Sequence, residues 1–325
     1  MPLVALARRK ARADLPLAVG PAISQMRASM LLVLTLVAGD FDGLQDALPL
    51  ALEAVAACGR PVKDTDILGE GAADLFVEGE DPRALRLAVA RAFERKRVDF
   101  CVQPADGRRK RLLVADMDST IIGCECLDEL ADFAGLKDEI AAITAQAMGG
   151  EIAFEPALRE RVARLEGLGL ETLGRAYEER VRLNPGARTL VRTMNAGGSR
   201  CVLVSGGFDF FTSRVARAAG FAAHRANRLL DDGERLTGKV AEPILGRDAK
   251  LAALEEEAKS LGLALSQTLA IGDGANDAAM VRAAGLGVAW RAHQVLAREA
   301  DAAIDHGDLT AALYFQGYGA EDFVS

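Results

Sequence analysis

Several features that would place a chain in a special class are scarce here. The 325 residues contain five cysteines, an odd number at irregular spacing, so no disulfide framework is encoded. Cys124 and Cys126 flank Glu125, but Cys-x-Cys without a second pair or nearby histidines is a poor zinc signal. They read better as small apolar residues of a reducing compartment. No run of about 18 apolar residues occurs, which argues against a membrane span. The basic cluster Arg8, Arg9, Lys10 and Arg12 is followed by Asp14, Pro16 and Gly20, which interrupt any signal-peptide core, so the cytoplasm is the expected compartment. A positive balance is missing as well. Thirty-nine lysines and arginines face 47 aspartates and glutamates, a formal net charge of −8, and no nucleic-acid partner is expected. Nor is there a Gly-x-x-x-x-Gly-Lys-Ser/Thr loop to cradle a nucleotide.

What is present centres on three strand exits. Leu112-Leu113-Val114-Ala115 is a short apolar run that breaks into Asp116-Met117-Asp118-Ser119-Thr120. It reads as a buried parallel strand opening into a loop, where ligands of open α/β sheets bind. Asp-x-Asp at that point suits a hard cation with oxygen ligands. It also offers one carboxylate as nucleophile and another as proton donor. A second run, Cys201–Val204, exits into Ser205-Gly206-Gly207-Phe208, a hydroxyl and two glycines able to present backbone N–H groups to an anion. The third, Leu269–Ile271, exits into Gly272-Asp273-Gly274-Ala275-Asn276-Asp277, with two more carboxylates. Lys250 precedes it in the first turn of a helix over 248–261, where a cation opposes the helix dipole. Leu286–Ala289 and Ala302–Ile304 complete the strand set. A positioned nucleophile, a metal and cations against phosphate oxygens are the parts that phosphoryl transfer needs.

The length allows two domains. Residues 1–25 lack periodicity and read as an arm. Met30–Ala38 reads as a strand, 43–58 as a helix, Ala73–Glu78 as an alternating strand, and Val98–Val102 as another. Asp81 caps a helix that has Pro82 at its first position. With an extra strand near 64–68, this fits a small ferredoxin-like α+β domain over 1–105, with no residue that looks catalytic. Arg108-Arg109-Lys110-Arg111 reads as a solvated linker to a second domain over 106–325. From about 125 to 182 the pattern is helical, with apolar faces at Leu127, Leu130, Phe133 and Ala134 and at Leu158, Val162 and Leu165. A block of helices inserted after the first strand can act as a lid. Asn227–Val240, turning at Asp231-Asp232-Gly233, reads as a β-hairpin.

Asp116-Met117-Asp118-Ser119-Thr120, Ser205-Gly206-Gly207-Phe208, Lys250 and Gly272–Asp277 together resemble the haloacid dehalogenase (HAD) superfamily, and within it the phosphoserine phosphatase branch. Glu125, Phe154 and Arg161 in Phe-Glu-Pro-Ala-Leu-Arg-Glu-Arg, and the hairpin match that branch too. The likeness covers about residues 110–310. The first hundred residues resemble regulatory ACT-like domains by pattern only. The resemblance implies a Rossmann-like parallel core with a helical cap, and Mg²⁺-dependent hydrolysis of O-phospho-L-serine through an aspartyl-phosphate. It implies Asp116 as nucleophile and Asp118 as proton donor and then base. Mg²⁺ would be held by Asp116, the Asp118 carbonyl and Asp273, with Asp277 in support. Phosphate oxygens fall to Ser205, Gly206 and Lys250, the substrate ammonium to Glu125 and its carboxylate to Arg161. Met148 and Phe154 line the cap, and Asn276 is a further substrate contact. An amino-acid zwitterion wants one anion and one planar cation, so the charges agree. Hydrolysis of phosphohomoserine or phosphothreonine, or an inactive ligand sensor, are the alternatives. A homodimer with a small-molecule substrate and no membrane partner is expected.

Overall fold

The computed structural model describes residues 30–79, 81–148, 151–246 and 248–325. The arm expected over 1–25 lies outside the described residues. In chain order the first elements are β1 (Met30–Ala38), α1 (Phe41–Ala57), β2 (Val62–Gly69), β3 (Ala72–Gly79), α2 (Pro82–Phe93) and β4 (Val98–Pro104). Asp81 caps α2 by accepting from the Arg83 N–H, with Pro82 at the first position as its fixed φ favours. The four strands lie in the order β2-β3-β1-β4, all antiparallel, with both helices on one face. This is the ferredoxin-like arrangement, and the strand near 64–68 is real.

The chain continues with β5 (Leu112–Ala115) and then four helices, α3 (Cys126–Ala134), α4 (Lys137–Met148), α5 (Phe154–Arg164) and α6 (Leu170–Arg180). It returns through α7 (Ala187–Ala196), β6 (Arg200–Phe208), α8 (Asp209–Ala219) and β7 (Ala223–Asn227) to the hairpin β8 (Leu229–Asp231) and β9 (Leu236–Val240). The last third holds α9 (Ala249–Ser260), β10 (Thr268–Gly272), α10 (Ala278–Ala283), β11 (Leu286–Trp290), α11 (Gln294–Glu299), β12 (Ala302–Ile304) and α12 (Ala311–Phe315). Six strands run parallel in the order β12-β11-β10-β5-β6-β7, with helices on both faces. Every residue of β5, β10 and β11 is buried, which is why these strands read as unbroken apolar runs. Leu113, Ala115, Leu203 and Ile271 face one core, while Leu112, Val114, Val202 and Ala270 face the other.

The two halves share one ten-stranded sheet, because β4 pairs antiparallel with β12. The face of β1 and β4 opposite α1 and α2 is covered by α12, and Gln103 donates to the Phe315 carbonyl at 2.6 Å. Asp99, buried, accepts from the consecutive N–H groups of Asp305, His306 and Gly307. The basic run is not a solvated linker. Arg108 pairs with fully buried Asp74 at 2.6 Å, and Thr35 donates to the other oxygen of that carboxylate. Arg109 reaches Asp322 and lies over the Tyr318 ring, and Lys110 is itself buried, donating to the carbonyls of Gly107 and Ser266. The run clamps one half to the other. Among the described residues no helix is long and apolar enough to cross a membrane.

Candidate active site

Register brings the three exits together. Ala115 stands level with Ile271 on one side and Leu203 on the other, so Asp116 emerges beside Gly272 and Val204. Its N–H donates to the Ile271 carbonyl, which fixes the backbone just before the turn. The turn over Met117–Ile121 contains Ser119 at φ +56°, a left-handed conformation rare for a residue with a side chain. That kink sets the Ser119 hydroxyl 2.6 Å from Glu125 and points the next hydroxyl, Thr120, at Asp273 over 2.8 Å.

Lys250 is buried between two carboxylates, 2.7 Å from Asp116 and 2.6 Å from Asp277. Burial disfavours its charge, yet Asp116 and then Asp277 overcome that and raise its pKa. The same pair accounts for a cation tolerated in the first turn of α9. Asp118 accepts from the Cys126 N–H at 2.9 Å and from the Ser205 hydroxyl at 3.0 Å, which ties the first exit to the second. Ser205 in turn accepts from the Gly207 N–H. A Cβ on Gly207 would sit 2.9 Å from Asp118 Oδ2 and 3.0 Å from Ser205 Oγ, so that position needs glycine.

The site carries more negative charge than its cations balance. Burial raises the carboxyl pKa of Asp116, Asp118 and Asp273. Carboxylate oxygens of Asp116, Asp273 and Asp277 lie within 4.8 Å of one another, and the Lys250 ammonium pairs with two of the three, Asp116 and Asp277. A hard dication fits such a set of oxygen donors, and its charge would favour the ionised forms that burial opposes. The Asp118 carboxylate is engaged elsewhere, so any share it takes in holding a metal falls to its main-chain carbonyl. Asp277, expected only in support, stands inside the cluster.

Above this floor is a cavity of about 190 Å³ whose lining includes Asp116, Asp118, Ser205, Gly206, Lys250, Asp273 and Asn276. The cap supplies its roof through Glu125, Phe154 and Arg161, with Leu127 and Leu158 between them. Burial, and next the nearby Asp118 charge, push Glu125 up to about 7. Arg161 is held by the Ala157 carbonyl and the Thr144 hydroxyl, and its remaining N–H donors have no partner among the described residues. All the expected site residues but one therefore meet. The exception is Met148, which ends α4 and whose side chain lies outside the described residues. Sequence reasoning assigned no role to Thr120 or to the Cys126 N–H, although the two hydroxyls after Asp118 were a signal for the first.

Comparison with known proteins agrees with this geometry. The haloacid dehalogenase-like hydrolase family model matches residues 113–282. A phosphoserine phosphatase of Archaeoglobus fulgidus is 41% identical over 231 residues, 70% of this chain and 67% of that protein. A HAD family hydrolase from Salmonella enterica subsp. enterica serovar Typhi superposes with a TM-score of 0.76 at 26% identity, over 88% of this chain and 98% of that one. A phosphoserine phosphatase solved as its phospho-aspartyl intermediate analogue superposes with a TM-score of 0.59 at 37% identity, over 64% of this chain and 99% of that one.

Proposed function

The chain belongs to the haloacid dehalogenase-like hydrolases, and from that premise we propose that it is a Mg²⁺-dependent phosphoserine phosphatase. The observation that carries the substrate is the roof of the cavity. One carboxylate, Glu125, and one planar cation, Arg161, hang over the same small space that has Asp116 at its floor. An α-amino acid brings the complementary ammonium and carboxylate, and its phosphorylated side chain reaches down to the floor.

Asp116 attacks phosphorus, forming an Asp116 Oδ–P bond as the bond from phosphorus to the serine oxygen breaks. Asp118, whose proton burial favours, gives that proton to the departing oxygen. Serine leaves, Asp118 takes a proton from water, and the water oxygen attacks the same phosphorus and frees Asp116. Ser205, Gly206 and Lys250 hold the phosphate oxygens throughout, and Asn276 is assigned to the substrate at the cavity wall. Asp116, Asp273, Asp277 and the Asp118 carbonyl would hold Mg²⁺, which when bound supplies charge against the phosphate oxygens. Phe154 completes the cap's share of the pocket.

The same proposal makes 30–104 a regulatory or dimerising ACT-like unit of a homodimer. Residues 106–325 then form the phosphatase unit, with its cap over about 125–182. A cytoplasmic location is supported by five unpaired cysteines, as a reducing compartment requires. The test is phosphate release from phosphoserine, phosphothreonine, phosphohomoserine and p-nitrophenyl phosphate, each with Mg²⁺ and with EDTA. Phosphoserine should rank first and every rate should vanish with EDTA. A different amino-acid ester in first place would move the substrate, and full rates in EDTA would remove the metal.

A further inference from the structure

Beside the phosphate loop lies a buried amide to which the mechanism gives no task. Asn227 ends β7, the edge strand next to β6. The β6–β7 ladder pairs Val204 with Arg225 and resumes at Phe208 with Asn227, so three residues of β6 stand against one of β7. Those three are Ser205, Gly206 and Gly207. The bulge lifts the phosphate loop out of the sheet, as bulges near active sites do, and removes the ordinary ladder support from its backbone. Asn227 replaces that support. Its Nδ2 donates to the Gly206 carbonyl at 2.8 Å and to the Leu245 carbonyl at 3.3 Å, while its Oδ1 accepts from the Leu245 N–H at 2.7 Å. Both polar groups of Leu245 are thus paired by one side chain, and that network fixes which way the amide points. Leu245 lies five residues before Lys250.

We infer that Asn227 is a positioning residue for phosphoryl transfer, setting the phosphate loop at Ser205–Gly207 against the segment that delivers Lys250. The inference rests on reading those groups as the phosphate-binding ones. Gly206 Nα can serve a phosphate oxygen only if its peptide plane is held, and the carbonyl bond from Asn227 holds the peptide on its other side. A displacement near 1 Å at such a site can cost about 10²-fold in rate. Because the effect lies at the phosphate end, it is blind to the rest of the substrate. That separates Asn227 from Glu125 and Arg161.

The experiment compares Asn227→Ala and Asn227→Asp with the wild type on phosphoserine and p-nitrophenyl phosphate, with orthophosphate as inhibitor and thermal melting as the check on folding. The Asp variant keeps the volume and the acceptor for the Leu245 N–H, but sets a carboxylate oxygen against the carbonyls of Gly206 and, more distantly, Leu245. It therefore removes the Nδ2 bonds, the shorter of them to Gly206, while keeping the Leu245 N–H bond if the Ala variant fails to fold. Both variants should lose about 10²-fold in kcat, alike on the two substrates, with orthophosphate inhibition weakened about tenfold. A folded variant of either kind with wild-type kcat and wild-type orthophosphate inhibition would overturn the inference, whatever its melting temperature. A wrong phosphoserine assignment leaves a different record, since it changes the wild-type substrate ranking while the Asn227 effect is still read on the simple ester.

Discussion

The carboxyl of Glu125 changes its charge near neutral pH. Its pKa is raised to about 7, first by burial and then by Asp118. Above that value it is an anion that can meet the substrate ammonium, and below it the contact is lost. The ratio of kcat/KM for phosphoserine to that for p-nitrophenyl phosphate should therefore climb as pH rises through about one unit either side of that value. The ester has no amine, so shared ionisations cancel in the ratio. A flat ratio would detach Glu125 from the amine. Arg161→Ala should lower kcat/KM for phosphoserine by at least ~10²-fold, with much smaller loss on the ester, because it strands a carboxylate in a buried pocket. Equal losses on both would make Arg161 a support of the cap. Glu125 and Arg161 were legible only through the resemblance to the phosphoserine phosphatase branch, whereas the strand exits themselves announced Asp116, Asp118, Ser205 and Asp273. The hydrogen bonds from Thr120 to Asp273 and from Cys126 N–H to Asp118 were not legible, since they depend on the turn at Ser119.

Among the elements, the turn at the end of β6 makes a separate demand. Gly207→Ala places a methyl 2.9 Å from Asp118 Oδ2, so either the loop or the Asp118 side chain must move. Activity on both substrates should fall by about 10²-fold while the melting temperature stays close to wild type. Wild-type rates in the Ala variant would show that the loop relaxes freely. The cap was visible as a helical insertion, but its attachment was not. Ile122 bridges Leu183, Gly123 N–H reaches the Arg182 carbonyl, and Asn184 donates to the carbonyls of Thr120 and Ile122. The segment entering the cap and the one leaving it are therefore sewn together beside Asp118. The hairpin β8–β9 also joins the cap, through Gly167 N–H to the Leu236 carbonyl and Leu236 N–H to the Leu168 carbonyl. Pairings of this kind join residues far apart in sequence and leave no periodicity to read.

For the molecule as a whole, the sheet runs unbroken from β2 to β7, and the Arg108–Asp74 pair ties the segment between β4 and β5 back to β3. Removing one member of a buried pair leaves the other charge uncompensated, at a cost of about 3–5 kcal/mol. Arg108→Ala should lower the free energy of unfolding by that order in denaturant titration and leave kcat unchanged, since no lining residue of the cavity is touched. A loss below about 1 kcal/mol would return the basic run to the solvated role its composition suggested. Composition misled there because Asp74 lies 34 residues upstream, on a strand whose second face only the fold reveals.

The central claim is that Asp116 takes the phosphoryl group from phosphoserine. Wild-type protein mixed with phosphoserine and Mg²⁺, then quenched in acid, can be cleaved and its peptides weighed. The expected result is a phosphoryl mass increment on the peptide carrying Asp116, absent with EDTA and absent from Asp116→Asn, which also releases no phosphate. Normal phosphate release by Asp116→Asn, or an increment on any other residue, would contradict it.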